Sequence, residues 1–200
     1  MKIGVFGGTF NPVHYGHIRT AEKLMDQAKL DQILFVVAGK PPHKPGENIA
    51  EKEDRLQMVK MAVQGRPGFA VSDLEIKNDG YSYTIDTLER LSELYPQDQL
   101  FFITGADMFV MVPTWHEGER LLMEYSFIAV NRNSSFENKQ YRQKMEQLIK
   151  TYGVHVEIVD IDTPNISSSM IRHKIKNGSG IDGLVPEKVR KYLLEHDLYK

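Results

Sequence analysis

Cysteine is absent from this sequence of 200 residues, and so are long apolar runs. The lack of cysteine excludes disulfides, thiolate metal sites and cysteine nucleophiles. Because no apolar run approaches about 20 residues, we expect no transmembrane helix. The short apolar start is interrupted by glycine too early for a signal peptide. We therefore expect a cytoplasmic protein with no membrane partner.

An excess of charge of either sign is also missing. Lys and Arg number 25 and Asp and Glu number 27, which gives a net charge of −2. A chain so balanced, with no basic stripe interleaved with aromatic residues, is not an obvious partner for nucleic acid. Any affinity for phosphate must therefore be local and depend on a few groups at one place.

What the sequence does contain is an alternation of short apolar runs and longer helical patterns. Most of the apolar runs are continuous, which is typical of strands buried on both faces of a parallel sheet. Predicted strands lie at 3–6, 33–37, 69–71, 100–103, 127–130 and 154–159, and predicted helices at about 15–28, 51–64, 83–94, 117–124, 138–151, 168–176 and 186–195. This alternation predicts a doubly wound α/β fold, with a mainly parallel sheet of about six strands and C-terminal helices, in a single domain over 1–200. In such folds ligands bind beyond the carboxyl ends of the strands, near the switch in strand order.

A glycine-rich loop follows the first predicted strand and reads GGTFNPVHYGH over residues 7–17. Gly7 and Gly8 permit a tight turn and a close approach of the backbone to a ligand. The helix that follows would aim its amides at the same space, which is a favourable place for phosphate. The third glycine of a dinucleotide fingerprint and the GK[ST] of a Walker loop are both missing, so neither motif is indicated.

Two histidines, His14 and His17, stand three residues apart at the start of that helix and share one face. Imidazoles there can donate hydrogen bonds to phosphate oxygens. Phosphoryl and nucleotidyl transfers depend on such charge stabilisation more than on covalent chemistry. From the residues alone two other interpretations stay open: a pair of ordinary surface histidines, or a metal-binding pair, which lacks a third nearby ligand.

A second candidate anion site lies near the other end of the chain. The stretch ISSSMIR, residues 166–172, places serines directly before a helical pattern, which favours a helix N-terminus with amides and hydroxyls available to a ligand. Arg172, one turn into that helix, can reach the same anion. Helix starts of this kind are common, so a plain cap is the alternative. Two such N-termini meeting at one place would bind a triphosphate well.

Together these two motifs resemble those of the HxGH nucleotidyltransferase superfamily, whose members transfer AMP or CMP to phosphate acceptors. The resemblance implies a Rossmann-like nucleotidyltransferase fold in which the second motif holds the β- and γ-phosphates of ATP. Four further stretches are similar to those of the bacterial nicotinate-mononucleotide adenylyltransferases. They are KPPHK after the second strand, YTIDT at the third helix, GAD after the fourth strand, and the single tryptophan in PTWH.

That resemblance implies adenylyl transfer from ATP to nicotinate mononucleotide, with deamido-NAD and pyrophosphate as products, in NAD biosynthesis. Mg²⁺ is expected on the ATP phosphates, not in a dedicated protein site. Main-chain amides near Thr84 and Trp115 are implied to recognise the nicotinate carboxylate. The predicted site residues are His14, His17 and Arg172 for catalysis; Gly7, Gly8, Thr9, Phe10, Gly105, Asp107, Ser167 and Ser168 for ATP; and Lys40, His43, Lys44, Thr84 and Trp115 for the acceptor.

Some alternatives remain at this point. Nicotinamide mononucleotide is the alternative acceptor, and a nucleotide-binding sensor that has lost catalysis is the alternative in another class. Many relatives have Asp where Asn11 stands and Tyr where His116 stands. Neither side chain is needed in the implied mechanism, although a substrate contact by His116 would alter specificity. Monomer and homodimer both stay open.

Overall fold

The structure is a computed structural model that describes residues 1–41, 49–132 and 139–200, with the backbone alone at 132, 139 and 140. Its strands are β1 (Lys2–Gly8), β2 (Gln32–Val37), β3 (Phe69–Ser72), β4 (Gln99–Gly105), β5 (Ser126–Arg132) and β6 (Val156–Ile161). Its helices are α1 (Tyr15–Gln27), α2 (Lys52–Val63), α3 (Thr84–Leu94), α4 (Ala106–Phe109), α5 (Gly118–Glu124), α6 (Lys139–Tyr152), α7 (Ser168–Lys176) and α8 (Glu187–Glu195), with a short 3-10 helix at Val112–Thr114.

The six strands form one sheet in the order β3-β2-β1-β4-β5-β6. Every neighbouring pair is parallel. The chain first builds outward from β1 through β2 to β3, and then returns to place β4, β5 and β6 on the other side of β1. The switch in strand order therefore falls between β1 and β4, which is where open α/β sheets bind ligands.

Helices cover both faces of the sheet. One hydrophobic cluster joins the sheet to apolar residues of α1, α2, α7 and α8, and a second joins it to apolar residues of α3, α4, α5 and α6. Along β2, alternate residues enter opposite clusters: Phe35 lies in the first, and Leu34 and Val36 lie in the second. This two-sided burial explains why the strand is continuously apolar in sequence. Within the described ranges no helix is long and apolar enough to cross a membrane.

The predicted fold class is confirmed, and each predicted strand and helix is present with ends shifted by no more than two residues. The four-residue helix α4 lies outside the predicted helix ranges, because it is too short to show a helical period. Strand β6, one of the two edge strands, departs from the continuously buried pattern because exposed and buried residues alternate toward its end. Val159 and Ile161 are buried there, whereas Ile158 is 46% exposed.

Candidate active site

A cavity of about 300 Å³ opens at the carboxyl ends of β1 and β4, where the strand order switches. One wall is formed by residues 6–11 at the end of β1, and a second by residues 102–105 at the end of β4. The remaining lining residues are His17 of α1, Trp115, and Ser168, Ser169 and Arg172 of α7. Two motifs from opposite ends of the chain therefore face one space.

The loop after β1 turns at a different residue from the one predicted. Gly7 and Gly8 are the last residues of β1, so the tight turn expected at the glycines begins only after them. The residue with left-handed backbone is Phe10, at a φ of 47°. Its ring fills the space beside Gly8, where an added Cβ would lie 2.9 Å from the ring. Gly8 thus makes room for Phe10, and both glycines still line the cavity.

The two histidines form a stacked pair at the start of α1. His14 is the N-cap residue and is only 4% exposed, and its ring lies 3.7 Å from that of His17, with 25° between the planes. The backbone N–H of His14 donates to Nδ1 of His17 at 3.2 Å. Because Nδ1 accepts this bond, the proton of a neutral His17 imidazole sits on Nε2. His17 lines the cavity, and His14 lies behind it.

Gly16 allows this pair to pack closely against the second motif. A Cβ at Gly16 would lie 2.9 Å from Cε1 and Nδ1 of His14, and 3.3 Å from the carbonyl oxygen of Ile166. These distances are too short for an ordinary side-chain contact. The absence of a side chain at Gly16 therefore brings the histidine pair and the start of the second motif together.

The serines of the second motif have different positions: one caps helix α7 and two line the cavity. Ser167 is the N-cap residue of α7, and its hydroxyl oxygen accepts from the backbone N–H of Met170 at 3.1 Å. Ser168 and Ser169, in the first turn, line the cavity, and Ser167 is not among its lining residues. Ser169 was not selected from the sequence, since a run of three serines does not show which one caps the helix.

Two hydrogen bonds fasten α7 to the loop after β1. The hydroxyl of Ser168 donates to the carbonyl oxygen of Pro12 at 2.9 Å. The guanidinium of Arg172 donates from Nη1 to the carbonyl oxygen of Asn11, also at 2.9 Å. The N-termini of α1 and α7 are therefore held side by side, with their amides near one cavity.

Of the site residues predicted near the end of β4, two line the cavity and one does not. Gly105 ends β4 and lines the cavity. Asp107 is an exposed residue in the first turn of α4 and does not line it. Trp115 lines the cavity with its indole edge-on to Phe102, at 6.2 Å between ring centroids.

The start of α3 lies close to the segment that carries Trp115. Thr84 is the first residue of α3, one residue after the predicted start of the helix, and Tyr83 is its N-cap. The ring of Tyr83 stacks on that of His116, with centroids 4.2 Å apart. The two segments implied to recognise a carboxylate are therefore neighbours, although Thr84 does not line the described cavity.

The described part of the structure does not place the basic residues predicted after β2 at the cavity. Lys40 is exposed, and its ammonium lies 4.7 Å from the ring centroid of Tyr81, outside the cavity. His43 and Lys44 lie outside the described residues.

A buried arginine that sequence reasoning missed supports the site from behind. Arg55 of α2 is 1% exposed and donates to the carbonyl oxygens of Thr9 at 2.9 Å, Ala38 at 2.6 Å, Gly39 at 3.0 Å and Ala50 at 3.0 Å. Burial lowers the pKa of this guanidinium from its usual value, and neighbouring acidic groups oppose the change. An arginine inside a helical pattern gives no local sign of such a role.

Most of the polar side chains that line the cavity carry hydrogen-bond donors. Hydroxyls, an imidazole N–H, a guanidinium and backbone amides suit phosphate oxygens. Across residues 1–41, 49–132 and 139–200 there is no cluster of three or more His, Cys, Asp or Glu side chains able to hold a metal ion. Donors of this kind pair with phosphate oxygens, so the polar lining suits a phosphate chain.

Similarity to known proteins agrees with this chemistry. The sequence profile of the cytidylyltransferase-like family matches residues 5–174. A probable nicotinate-nucleotide adenylyltransferase from Desulfitobacterium hafniense is 42% identical over 199 residues, covering 100% of this chain and 96% of the relative. The nicotinate-nucleotide adenylyltransferase of Bacillus subtilis is 39% identical over 205 residues, covering 100% and 98%. The solved structure of Plasmodium falciparum nicotinic acid mononucleotide adenylyltransferase complexed with NaAD has the same fold, with a TM-score of 0.78, 22% identity, and coverage of 99% of this chain and 97% of that one.

Proposed function

The chain belongs to the cytidylyltransferase-like family and, within it, to the nicotinate-nucleotide adenylyltransferases, and from this premise we propose how its cavity performs adenylyl transfer. ATP donates its adenylyl group to the phosphate of nicotinate mononucleotide, and deamido-NAD and pyrophosphate are formed. The observation that supports this proposal most strongly is that His17, Ser168 and Arg172 line one cavity at the switch in strand order.

The reaction is a single in-line displacement. A phosphate oxygen of the acceptor attacks the α-phosphorus of ATP, and a new P–O bond forms. The bond from the α-phosphorus to the oxygen that bridges to the β-phosphorus breaks, and its electron pair leaves with pyrophosphate. The acceptor phosphate is itself the nucleophile, so no side chain has to be activated for attack. The protein acts by positioning and by stabilising charge.

Each group at the cavity has a role that its geometry allows. Nε2–H of His17 donates to an oxygen that gains charge on the α- or β-phosphate, and His14 keeps His17 in that tautomer through its backbone N–H. Residues 7–10 line the same cavity, and backbone amides beyond the end of β1 can donate to the same oxygens. The first turn of α7, with Ser168 and Arg172, holds the leaving pyrophosphate.

Mg²⁺ enters this proposal on the ATP phosphates. The donors at the cavity fit phosphate oxygens and not a metal ion, so substrate and water supply the oxygen ligands. When bound there, Mg²⁺ neutralises part of the phosphate charge. The residues of this chain then bind and orient the phosphate chain that carries it.

The acceptor is proposed to be the acid, nicotinate mononucleotide. Amides at the start of α3, at Thr84, and near Trp115 can donate to a carboxylate, and the helix N-terminus favours negative charge. The NH2 of a nicotinamide group cannot accept from these donors and would leave one of them unpaired. Lys40, His43 and Lys44 stay predictions for the acceptor's phosphate.

Initial rates of pyrophosphate release test this function. With ATP and Mg²⁺, we expect kcat/KM for nicotinate mononucleotide to exceed that for nicotinamide mononucleotide by roughly 10²-fold. Competing the two mononucleotides in one reaction, with the dinucleotide products separated, provides the control for assay artefacts. Equal rates would overturn the acid preference, and no pyrophosphate with either substrate would indicate a nucleotide-binding sensor instead.

A further inference from the structure

The amide oxygen of Asn11 joins the cavity to two distant parts of the chain. Asn11 lines the cavity but is only 3% exposed. Its Oδ1 accepts from the backbone N–H of Ala50 at 3.0 Å and from the hydroxyl of Tyr199. Its backbone carbonyl accepts from Arg172. A shift of Asn11 would therefore be transmitted directly to a guanidinium of the site.

The turn at the C-terminal end of α8 places Tyr199 next to Asn11. The N–H of Leu198 donates to the carbonyl of Leu193 at 3.1 Å, and that of Asp197 to the carbonyl of Leu194 at 3.4 Å. Asp197 has a φ of 50°. This is the Schellman pattern, in which a left-handed residue turns the chain back across the helix end. The residues after α8 are consequently folded onto the core instead of continuing outward.

The conformation of Tyr199 itself is held by its surroundings. Its φ is 68°, which is uncommon for a bulky residue and persists only where neighbouring contacts impose it. The side chain is 6% exposed and packs in the hydrophobic cluster that contains Phe10 and Val13 of the loop after β1. Burial raises the pKa of the phenol above its usual value, so the hydroxyl stays protonated and able to donate.

We propose that Tyr199 is a positioning residue for adenylyl transfer, which acts by fixing Asn11 and, through it, the loop after β1 against α7. The inference rests on the proposed function for its kinetic test. The hydroxyl of Tyr199 connects the residues after α8 to Asn11 in the cavity wall, whereas its ring packs in the hydrophobic cluster. Small displacements of phosphate-binding groups lower the rate strongly, because the reacting atoms must be aligned.

Tyr199→Phe isolates the hydroxyl because it keeps the ring. Tyr192→Phe is the matched control: the hydroxyl of Tyr192 donates to Asp54 at 2.6 Å and ties α8 to α2 without contact with the cavity. Both variants lose one tyrosine hydrogen bond made by the C-terminal part of the chain. We expect a similar small drop in Tm for each.

Kinetics should separate the two variants. We expect Tyr199→Phe to lower kcat by about tenfold, with KM for nicotinate mononucleotide nearly unchanged, and Tyr192→Phe to stay within about twofold of the parent protein. The affinity for α,β-methylene-ATP, measured by calorimetry, should fall about fivefold in Tyr199→Phe alone. A merely structural role would lower Tm without this difference in kcat and Kd.

The outcomes distinguish this inference from the function on which it rests. Absence of turnover by the parent protein would contradict the proposed function, and the calorimetric comparison would still test whether Tyr199 positions the phosphate site. Equal kcat and equal Kd in the two variants, with the parent protein active, would overturn the role of Tyr199 and leave the function intact.

Discussion

Replacing His17 by alanine should lower kcat by roughly 10²–10³-fold, the usual effect of removing one donor that stabilises charge in a transition state. The Nε2–H of His17 is the imidazole donor placed at the cavity, and the backbone bond from His14 to Nδ1 fixes its tautomer. The loss should fall on kcat more than on KM for ATP, since charge moves toward the departing pyrophosphate only as the reaction proceeds.

Stability and a second histidine provide the controls for this experiment. His17 is half-buried, so its replacement should leave the protein folded, as checked by thermal unfolding. His155→Ala removes an imidazole whose side chain is 62% exposed and which does not line the cavity, and its kcat should stay within about twofold of the parent. Near-normal turnover by His17→Ala would refute the role assigned to the imidazole.

Replacing Arg172 by alanine should lower kcat/KM for ATP by about 10²-fold. A hydrogen bond from a charged donor contributes about 1.5–3 kcal/mol, and here the same guanidinium also donates to the carbonyl of Asn11. Alanine removes both the charge beside the pyrophosphate and the tie between α7 and the loop after β1. Initial rates over a range of ATP concentrations measure the effect.

A lysine at position 172 shows whether activity needs only the charge of the side chain or also its geometry. Arg172→Lys retains one positive charge but not the planar fork that can reach a carbonyl and a phosphate together, so only part of the lost activity should return. Arg190→Ala is the control, because Arg190 pairs with Glu187 on α8, away from the cavity. Full activity in Arg172→Lys would show that charge alone suffices, and full activity in Arg172→Ala would contradict the role of Arg172.

The features of the fold and site that could be predicted from the sequence are those marked by a pattern among neighbouring residues of the chain. Continuous apolar runs identified the strands because both faces of each central strand are buried. Glycines, paired histidines and serines next to predicted helix starts identified the motifs, since helix N-termini attract anions in any context. The parallel sheet then brings residues that follow different strands to the same edge.

The parts that were missed depend on contacts between distant residues. Arg55 is defined by carbonyl groups that include that of Thr9, 46 positions away, and Tyr199 by Asn11, 188 positions away. The periodicity of the sequence gives no information about contacts between residues so far apart in the chain. The left-handed turn at Phe10 was assigned to the glycines before it because glycine is the residue that usually adopts positive φ.

A crystal structure with α,β-methylene-ATP, in which the bond to be broken cannot react, tests the central claim most directly. We expect the triphosphate to lie between the loop after β1 and the first turn of α7. Nε2 of His17 and the guanidinium of Arg172 should then lie within about 3.2 Å of phosphate oxygens. A triphosphate bound elsewhere on the sheet, or one that contacts neither His17 nor α7, would contradict it.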